Sequence, residues 1–509
     1  ASDVYKRQGM LVLDARLAAL DMLSADGRLE GLEEREQEIP VSERGENPIE
    51  IILLKEWYVK QVGIQDRLEQ LTDQISFIPE RNKQLLLDWM ENISIDWPIS
   101  RRRWYHTEIP IWYTDDHKVL IVPPKGAYVR PWCEDPPKGS FGIDRETREI
   151  LGPIEELGYT KFTGEEKVFD TWMDSSNSNL YVSGYGQKDV DFARTYPTNL
   201  RPQGKEIVRT WLYYTLLKSA HLFDQPGFKS VWIDGLGMDP WGRKMSKSWG
   251  NGIDADSVLN CGLSGRTGSW KIRGPDGKSV NLRANKIGSE CFRLWKAADA
   301  QVGDDFHINP EEIESKYFGI LTKIYNVARF ASQFPFEDLR PSVIKPEDVW
   351  ILSEYDNLIK GTMEDWKRID IYSATQKVKV FLTGIFSSHW MELAKTRLYD
   401  SDSSSLWTIH SILSGCLKIF SPVCPLFCHH LSTILYNEST IKVDMYPNPL
   451  GYDLQDRTKI TQSIVKFNTM VWKEKKSQNV SLKSSVSGIQ IPEPLQDYSE
   501  GLTKMHNLV

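Results

Sequence analysis

The stretch from Val168 to Lys247 constrains the fold more than any other. A short strand at Val168 leads through a loop to a helix over residues 204–222, then to a strand over 230–233 and a lysine-rich loop. Strand, helix and strand in that order specify a βαβ unit, which needs a parallel sheet covered by helices. After Phe306 the pattern changes to a helical period. Phe318, Leu321, Tyr325 and Ala328 recur at three- and four-residue steps, as do Val378, Phe381, Ile385 and Trp390, and Leu406, Ile409, Leu413, Leu417 and Phe420. Short polar links between such helices imply a bundle over residues 305–445. The expected class is therefore α/β followed by all-α, with a last helix at 460–475 and a short mixed tail from Ser477.

The front of the chain is less regular. Residues 1–8 fit no pattern. An amphipathic helix is expected from Leu11, because Asp14, Arg16 and Asp21 interrupt its apolar residues. A turn-rich piece around Ser42-Glu43-Arg44-Gly45 follows, then strand-like alternation in Ile51, Leu53 and Trp57. Helical spacing returns at Leu68, Leu71 and Ile75, and again over 80–91, with Leu85, Leu86 and Trp89 on one face. Prolines and glycines crowd residues 119–165, which read as a small β subdomain, and the Gly-rich stretch 262–288 reads as an inserted hairpin.

Composition narrows the function classes. Lys and Arg total 62 against 70 Asp and Glu, a net charge of -8, which excludes a polybasic nucleic-acid coat. An RNA enzyme with its positive charge gathered on one face stays open. With 40% apolar and 26% charged residues the chain buries real cores. Six scattered cysteines make no disulfide framework and suit a reducing, cytosolic compartment. No apolar run reaches the ~20 residues that span a bilayer, so no membrane partner is expected.

The sharpest chemical feature is Gly242-Arg243-Lys244-Met245-Ser246-Lys247-Ser248, ahead of Gly250-Asn251-Gly252. Two lysines three apart on a small-residue loop place two ammonium groups on neighbouring phosphate oxygens, while serines and loop amides add donors. Lys244 to Ser248 resembles the second signature of the class I aminoacyl-tRNA synthetases. Asp170-Thr171-Trp172-Met173-Asp174-Ser175-Ser176, Arg201-Pro202-Gln203-Gly204 with Arg209-Thr210-Trp211, and Trp97-Pro98-Ile99-Ser100-Arg101-Arg102-Arg103 with Thr107-Glu108-Ile109-Pro110 resemble the archaeal valyl branch of that family. The likeness runs from about Leu13 to the end of the chain.

The resemblance implies a fold and a reaction. The fold is the second half of a Rossmann-like catalytic domain followed by a helical anticodon-binding bundle. The reaction is attack of the valine carboxylate on the α-phosphate of ATP, taken with Mg2+ as substrate, and transfer of the valyl group to tRNA(Val). Such catalysis is positioning and electrostatic stabilisation. Lys247 and Lys244 are the expected catalytic residues, and Met245, Ser246, Ser248, Gln203 and Gly204 join them in the ATP site. Trp172 is the expected valine-pocket wall, with Ile207 either beside it or in ordinary core packing. Asp170 and Asp174 either orient the ammonium group or hold the loop. Arg101, Arg102 and Arg103 suit acceptor-stem phosphates or a surface ion-pair cluster. Lys466, Lys473, Lys475 and Lys476 suit RNA backbone or a solvated helix end. An apolar pocket rejects threonine only about 100-fold, a limit met by this enzyme type, which is why the family carries an editing insertion.

The implied organisation is an end of that insertion over 1–50, with residues 41–50 as its exit strand; a connective segment over 51–165; the catalytic half over 166–262; the hairpin and stem-contact region over 263–304; the bundle over 305–445; and a helix and tail over 446–509. Three departures stand out. The His-x-Gly-His signature occurs nowhere in the sequence, so the chain reads as a carboxy-terminal fragment expected not to form valyl-adenylate alone. Position 106 is His where the family has Gly. The segment 112–141 has Cys133 as its single thiol, so no zinc is expected. A cytoplasmic, monomeric full-length enzyme is implied. The rival readings are an isoleucyl enzyme of the same fold and a tRNA-binding module without catalysis.

Overall fold

The computed structural model describes residues 7–33, 35–36, 38–42, 47–49, 54–438 and 446–509. It divides into two units, Ala1–Lys55 and Glu56–Val509. In the first, the helix expected from Leu11 runs over Val12–Ala25 and buries none of its residues. Val41 pairs with Pro48 in an isolated antiparallel bridge. The expected turn residues Glu43, Arg44 and Gly45, the end of the exit strand at Glu50, and the strand positions Ile51 and Leu53 lie outside the described residues.

The second unit is built on a parallel sheet of β1 (Ser76–Ile78), β2 (Thr198–Gly204) and β3 (Phe228–Asp234), ordered β2-β3-β1. The register sets Ile78 beside Trp232, Gln203 beside Ile233 and Gly204 beside Asp234, so the carboxyl ends of the strands share one edge. Two helical pieces accompany β2, one on each side of it in the chain. The short α1 (Thr171–Ser175) precedes β2, and α2 (Tyr213–Phe223) follows a 3-10 turn at Lys205–Ile207 and a π turn at Val208–Leu212. Leu212, Leu216 and Leu217 of this crossover bury fully against Phe228, Val231 and Ile233 of β3. A βαβ unit is present, but its first strand is β2, in the stretch read as a loop; the strand expected at Val168 pairs antiparallel with Ser100–Arg101 outside the parallel sheet, and the crossover helix begins after Gly204 rather than at it.

The helix expected over 80–91 opens as a 3-10 turn at Glu80–Asn82 and continues over Lys83–Glu91. Leu86 and Met90, four apart, are its fully buried face, whereas Leu85 is exposed. The Pro-rich segment forms a five-stranded antiparallel sheet from Trp112–Thr114 to Phe162–Gly164, over a small core of Trp112, Val119, Ile121 and Val129. Pro123, Pro124, Pro131, Pro136 and Pro137 sit in the links, and Pro153 ends an edge strand opposite Phe141.

Downstream, the hairpin β4 (Gly268–Arg273) and β5 (Ser279–Ala284) is paired throughout. It shares one core with a helical bundle that includes α3 (Pro346–Lys367), α4 (Ser403–Phe420) and α5 (Arg457–Ser477). Gly415 of α4 lies under the Tyr355 hydroxyl, where any side chain would collide. The tail is more than a short mixed piece: it closes in a 3-10 turn at Glu493–Tyr498 and α6 (Ser499–His506), and Leu495, Tyr498 and Leu502 enter the same core. A buried charge pins the bundle. Asp348 accepts from Arg397 Nη1 at 2.7 Å and Nη2 at 2.8 Å, from Trp390 Nε1 at 3.0 Å and from Ser404 Oγ at 2.6 Å.

Candidate functional site

The lysine loop issues from the carboxyl edge of the parallel sheet, where open α/β sheets hold their ligands. Beyond β3 the chain runs through Gly237–Met238, paired in parallel with Phe306–His307, and folds back so that Lys244 bridges to Met238. Gly242, at φ 81°, makes the turn. Its amide donates to the Asp239 carbonyl at 2.9 Å.

Two fully buried polar residues hold this loop: Asp239, which is not singled out in the sequence, and Asn251, which is noted there only as part of the string that follows the lysines. Asp239 accepts from the amides of Trp241 at 3.0 Å and Arg243 at 2.9 Å, from Arg243 Nε at 2.8 Å and from Asn251 Nδ2 at 2.9 Å. Burial opposes its charge, but the Arg243 amide, the Asn251 amide group and the Arg243 guanidinium hold the carboxyl below the usual range. Asn251 is a crossbar. Its Oδ1 accepts from the Ser246 amide at 2.9 Å while its Nδ2 also donates to the Lys244 carbonyl at 3.1 Å. Ser246 Oγ accepts from the Trp249 amide at 3.2 Å and lies 3.1 Å from Ser248 Oγ. Met245 turns inward, its Cε 3.5 Å from where a Cβ on Gly237 would stand.

The consequence is electrostatic. Lys244 and Lys247 are exposed, and among the described residues no carboxylate lies within 4.0 Å of either ammonium. The backbone beneath them is fixed while their charges stay unneutralised, an arrangement matched to a polyphosphate. Gln203 and Gly204 end β2 on the same edge; Gln203 is buried, and its Oε1 has no hydrogen-bond partner.

The Trp172 loop is held from several directions. Asp170 caps α1 by accepting from the Trp172 amide at 3.3 Å, and its Oδ2 binds Arg101 Nη2 at 2.7 Å. The far end of α1 is tied to the crossover helix: Trp211 Nε1 donates to the Ser175 carbonyl at 2.8 Å, and Lys218 Nζ donates to the Met173 carbonyl at 2.8 Å. Burial pushes the Lys218 ammonium down to about 8. Trp172 and Ile207 are both half-buried, and Trp172 packs against the sheet core. Arg201, buried over the Trp211 ring at 3.6 Å, is pushed down to about 9 by burial.

Several expected residues have other work. Arg101 is turned inward, donating to the carbonyls of Pro98 and Ser100 as well as to Asp170, so its guanidinium is already engaged within the protein. Asp170 is engaged as cap and ion-pair partner, which is the loop-holding role. Asp174 Oδ2 lies 2.9 Å from His106 Nδ1, so the histidine at position 106 has an acidic neighbour. Arg102 pairs with Glu56 at 3.4 Å, while Arg103 is exposed beside Trp104 and Tyr105, which stand out in solvent. Lys475 is fully buried; its Nζ donates to the carbonyls of Leu482 at 2.9 Å and His506 at 2.6 Å, so it does not face RNA. Lys466, Lys473 and Lys476 are exposed. All six cysteines are free, and among the described residues no three His, Cys, Asp or Glu side chains gather as metal ligands.

Residues 17–309 match the family model described as tRNA synthetases class I (I, L, M and V). The chain belongs to that family. Residues 348–490 match the anticodon-binding domain of tRNA ligases, which covers most of the bundle. Among curated relatives, valine–tRNA ligase of Nanoarchaeum equitans is 33% identical over 98% of this chain and 61% of the relative. Those of Aeropyrum pernix and Pyrobaculum aerophilum are 31% and 30% identical, over 98% and 99% of this chain and 58% and 59% of theirs. The chain therefore spans about three-fifths of the length of the curated relatives it matches. Solved synthetases share the fold. Methionyl-tRNA synthetase of Mycobacterium tuberculosis bound by methionyl-adenylate superposes with a TM-score of 0.53 at 14% identity, over 82% of this chain and 68% of that one. The Agrobacterium radiobacter K84 LeuRS–tRNA–LeuAMS complex gives 0.51 at 15%, over 71% and 43%. Among the described residues no helix is long and apolar enough to cross a membrane.

Proposed function

We propose that this chain carries the ATP-phosphate loop, the valine-pocket tryptophan and the anticodon bundle of a valine–tRNA ligase. The observation that carries the reading is the pair of uncompensated ammonium groups, Lys244 and Lys247, on a loop pinned by Asp239 and Asn251. The names of the curated relatives favour valine over the isoleucyl alternative.

In the proposed reaction a valine carboxylate oxygen forms a bond to the α-phosphorus of ATP as the bond to the β-phosphate oxygen breaks. Negative charge grows on the departing pyrophosphate, where Lys247 and Lys244 meet it. A ribose hydroxyl at the 3′ end of tRNA(Val) then attacks the acyl carbon, and AMP leaves. Trp172 and Ile207 are the proposed walls for the branched side chain, and Gln203 with Gly204 borders the nucleotide. Arg103, Lys473 and Lys476 remain as proposed RNA contacts. ATP is taken to enter as its Mg2+ complex, with no zinc, and the proposed setting is a cytoplasmic monomer.

Calorimetric titration of the polypeptide with the sulfamoyl-adenosine analogues of valyl- and isoleucyl-adenylate tests this reading. One methylene in an apolar pocket is worth about 1–3 kcal/mol, so the valyl analogue should bind about 10- to 200-fold tighter. Equal affinity, or preference for the isoleucyl analogue, refutes the valine assignment.

A further inference from the structure

The hairpin β4–β5 plays no part in the reaction just proposed, and its two faces differ completely. Trp270, Ile272, Leu282 and Ala284 point inward and are buried. The outward residues are Ser269, Lys271 and Arg273 on β4 and Ser279, Asn281 and Arg283 on β5, all exposed. In register, Ser269 faces Arg283, Lys271 faces Asn281, and Arg273 faces Ser279. None is acidic. Ser269 Oγ donates to Asn281 Oδ1 at 2.8 Å, which ties the middle of the face together.

The three cations of this face lack counter-charges. Among the described residues no carboxylate lies within 4.0 Å of the side-chain nitrogens of Lys271, Arg273 or Arg283. The acids that come near are occupied by backbone. Glu311 accepts from the Arg283 amide at 3.0 Å, Glu314 from the Asn285 amide at 2.8 Å, and Asp276 from the Lys278 amide at 3.1 Å. Some exposed cations elsewhere are matched, as in Arg67–Asp224 and Arg81–Asp304, and others, such as Lys138, Arg148 and Lys161, stand singly without an ion pair among the described residues. In a chain of net charge -8, what sets the hairpin apart is that three such cations share one outward face with no acidic residue among them.

The ribbon is also joined to the lysine loop. The Arg273 carbonyl accepts from Arg243 Nη2 at 2.6 Å, and the Arg273 amide donates to the Gly250 carbonyl at 2.9 Å. Side chains at i and i+2 of a strand stand about 7 Å apart on one face. A row of guanidinium, ammonium, hydroxyl and amide donors at that interval suits successive phosphates along one nucleic-acid strand and reads no base.

We infer that the outward face of β4–β5 docks the phosphodiester backbone of structured RNA without regard to sequence. The inference rests on the proposed function only in taking that RNA to be the tRNA being charged. An acidic protein is the competing occupant; the repeated spacing and the hydroxyl and amide donors favour the nucleic acid.

The test is filter retention of the full chain with a tRNA(Val) transcript and with an unrelated RNA hairpin, over about 50 to 200 mM salt. In Lys271→Ala/Arg273→Ala/Arg283→Ala the slope of log K against log salt should become shallower by about 2 to 3, equally for both RNAs. The thermal midpoint should hold, because the inward face is untouched. The charge-matched control Lys138→Ala/Arg148→Ala/Lys161→Ala should keep the wild-type slope. An unchanged slope in the hairpin variant, an equal fall in the control, a loss confined to tRNA(Val), or a wild-type chain that retains neither RNA overturns the inference. Binding of the valyl-adenylate analogue is read separately, so an intact analogue site with an unchanged slope sinks the hairpin and spares the proposed function. Analogue binding that shows no valine preference, with the slope change present, does the reverse.

Discussion

Asn251→Ala should release the lysine loop without unfolding the protein. The substitution removes the acceptor of the Ser246 amide, a donor to the Lys244 carbonyl and one of the donors to the Asp239 carboxylate. A neutral hydrogen bond contributes about 0.5–1.5 kcal/mol and one to a charged group about 1.5–3 kcal/mol. Water reaches an opened loop and recovers part of this, leaving a net local cost of about 2–4 kcal/mol. At 1.4 kcal/mol per factor of ten, the Ser246 amide should exchange with deuterium roughly 30- to 700-fold faster. Amides in β3, such as Val231, should keep their protection because the sheet core does not depend on Asn251. Hydrogen exchange resolved to single amides reads both. Ser246 protection within about threefold of wild type would show that the crossbar does not hold the loop.

Other expectations follow from the bundle. His506 donates through Nε2 to Asn468 Oδ1 at 2.8 Å and is pushed down to about 4 by burial, Lys475 and His389. Its ring is neutral in the fold but takes a proton near 6.5 once unfolded, so stability drops as pH falls from about 6.5 to 4, by about 3 kcal/mol at most. Thermal melts across that range should be flatter in His506→Gln. Lys475→Met should alter the melting midpoint and leave the RNA salt slope alone, whereas Lys473→Ala/Lys476→Ala should make the slope shallower by about 1 to 2. Asp348→Ala strands the Arg397 guanidinium in the bundle core and should cost about 3–5 kcal/mol in urea unfolding.

The sequence revealed features carried by contiguous strings or by periodicity. The crossover helix, β3, the hairpin and the bundle were visible because apolar residues repeat at strand or helix intervals, and the lysine loop because its residues form one contiguous string; β2 was missed, because Thr198 to Gly204 is mostly polar and the strand at Val168 reads as the first strand in its place. Asp239 was hidden, and Asn251 was seen only as part of the string after the lysines without a role, since an Asp and an Asn look like any turn residues until the chain folds back and sets them 2.9 Å apart. Lys475 was misread as a solvated helix end. The signal was available: it continues the buried row Ile464, Phe467, Asn468 and Val471 at helical steps, and a lysine on that row is buried with the rest. Three consecutive arginines look equivalent in a string, yet Arg101 alone faces Asp170, because Ser100–Arg101 pairs with Val168–Phe169 and brings the cap of α1 within reach. The tail from Ser477 lacks a long apolar run, so its few anchors, Leu495, Tyr498 and Leu502, gave no warning that they complete the bundle core.

The most direct test of the central claim is titration of the chain with ATP and with pyrophosphate, comparing wild type with Lys244→Ala/Lys247→Ala. Charge-assisted contacts of about 1.5–3 kcal/mol predict at least a tenfold weaker affinity for both ligands in the double variant, with hydrogen exchange across β3 unaltered. Wild-type affinity in that variant would mean that the exposed lysines do not hold phosphate, and the account would fail.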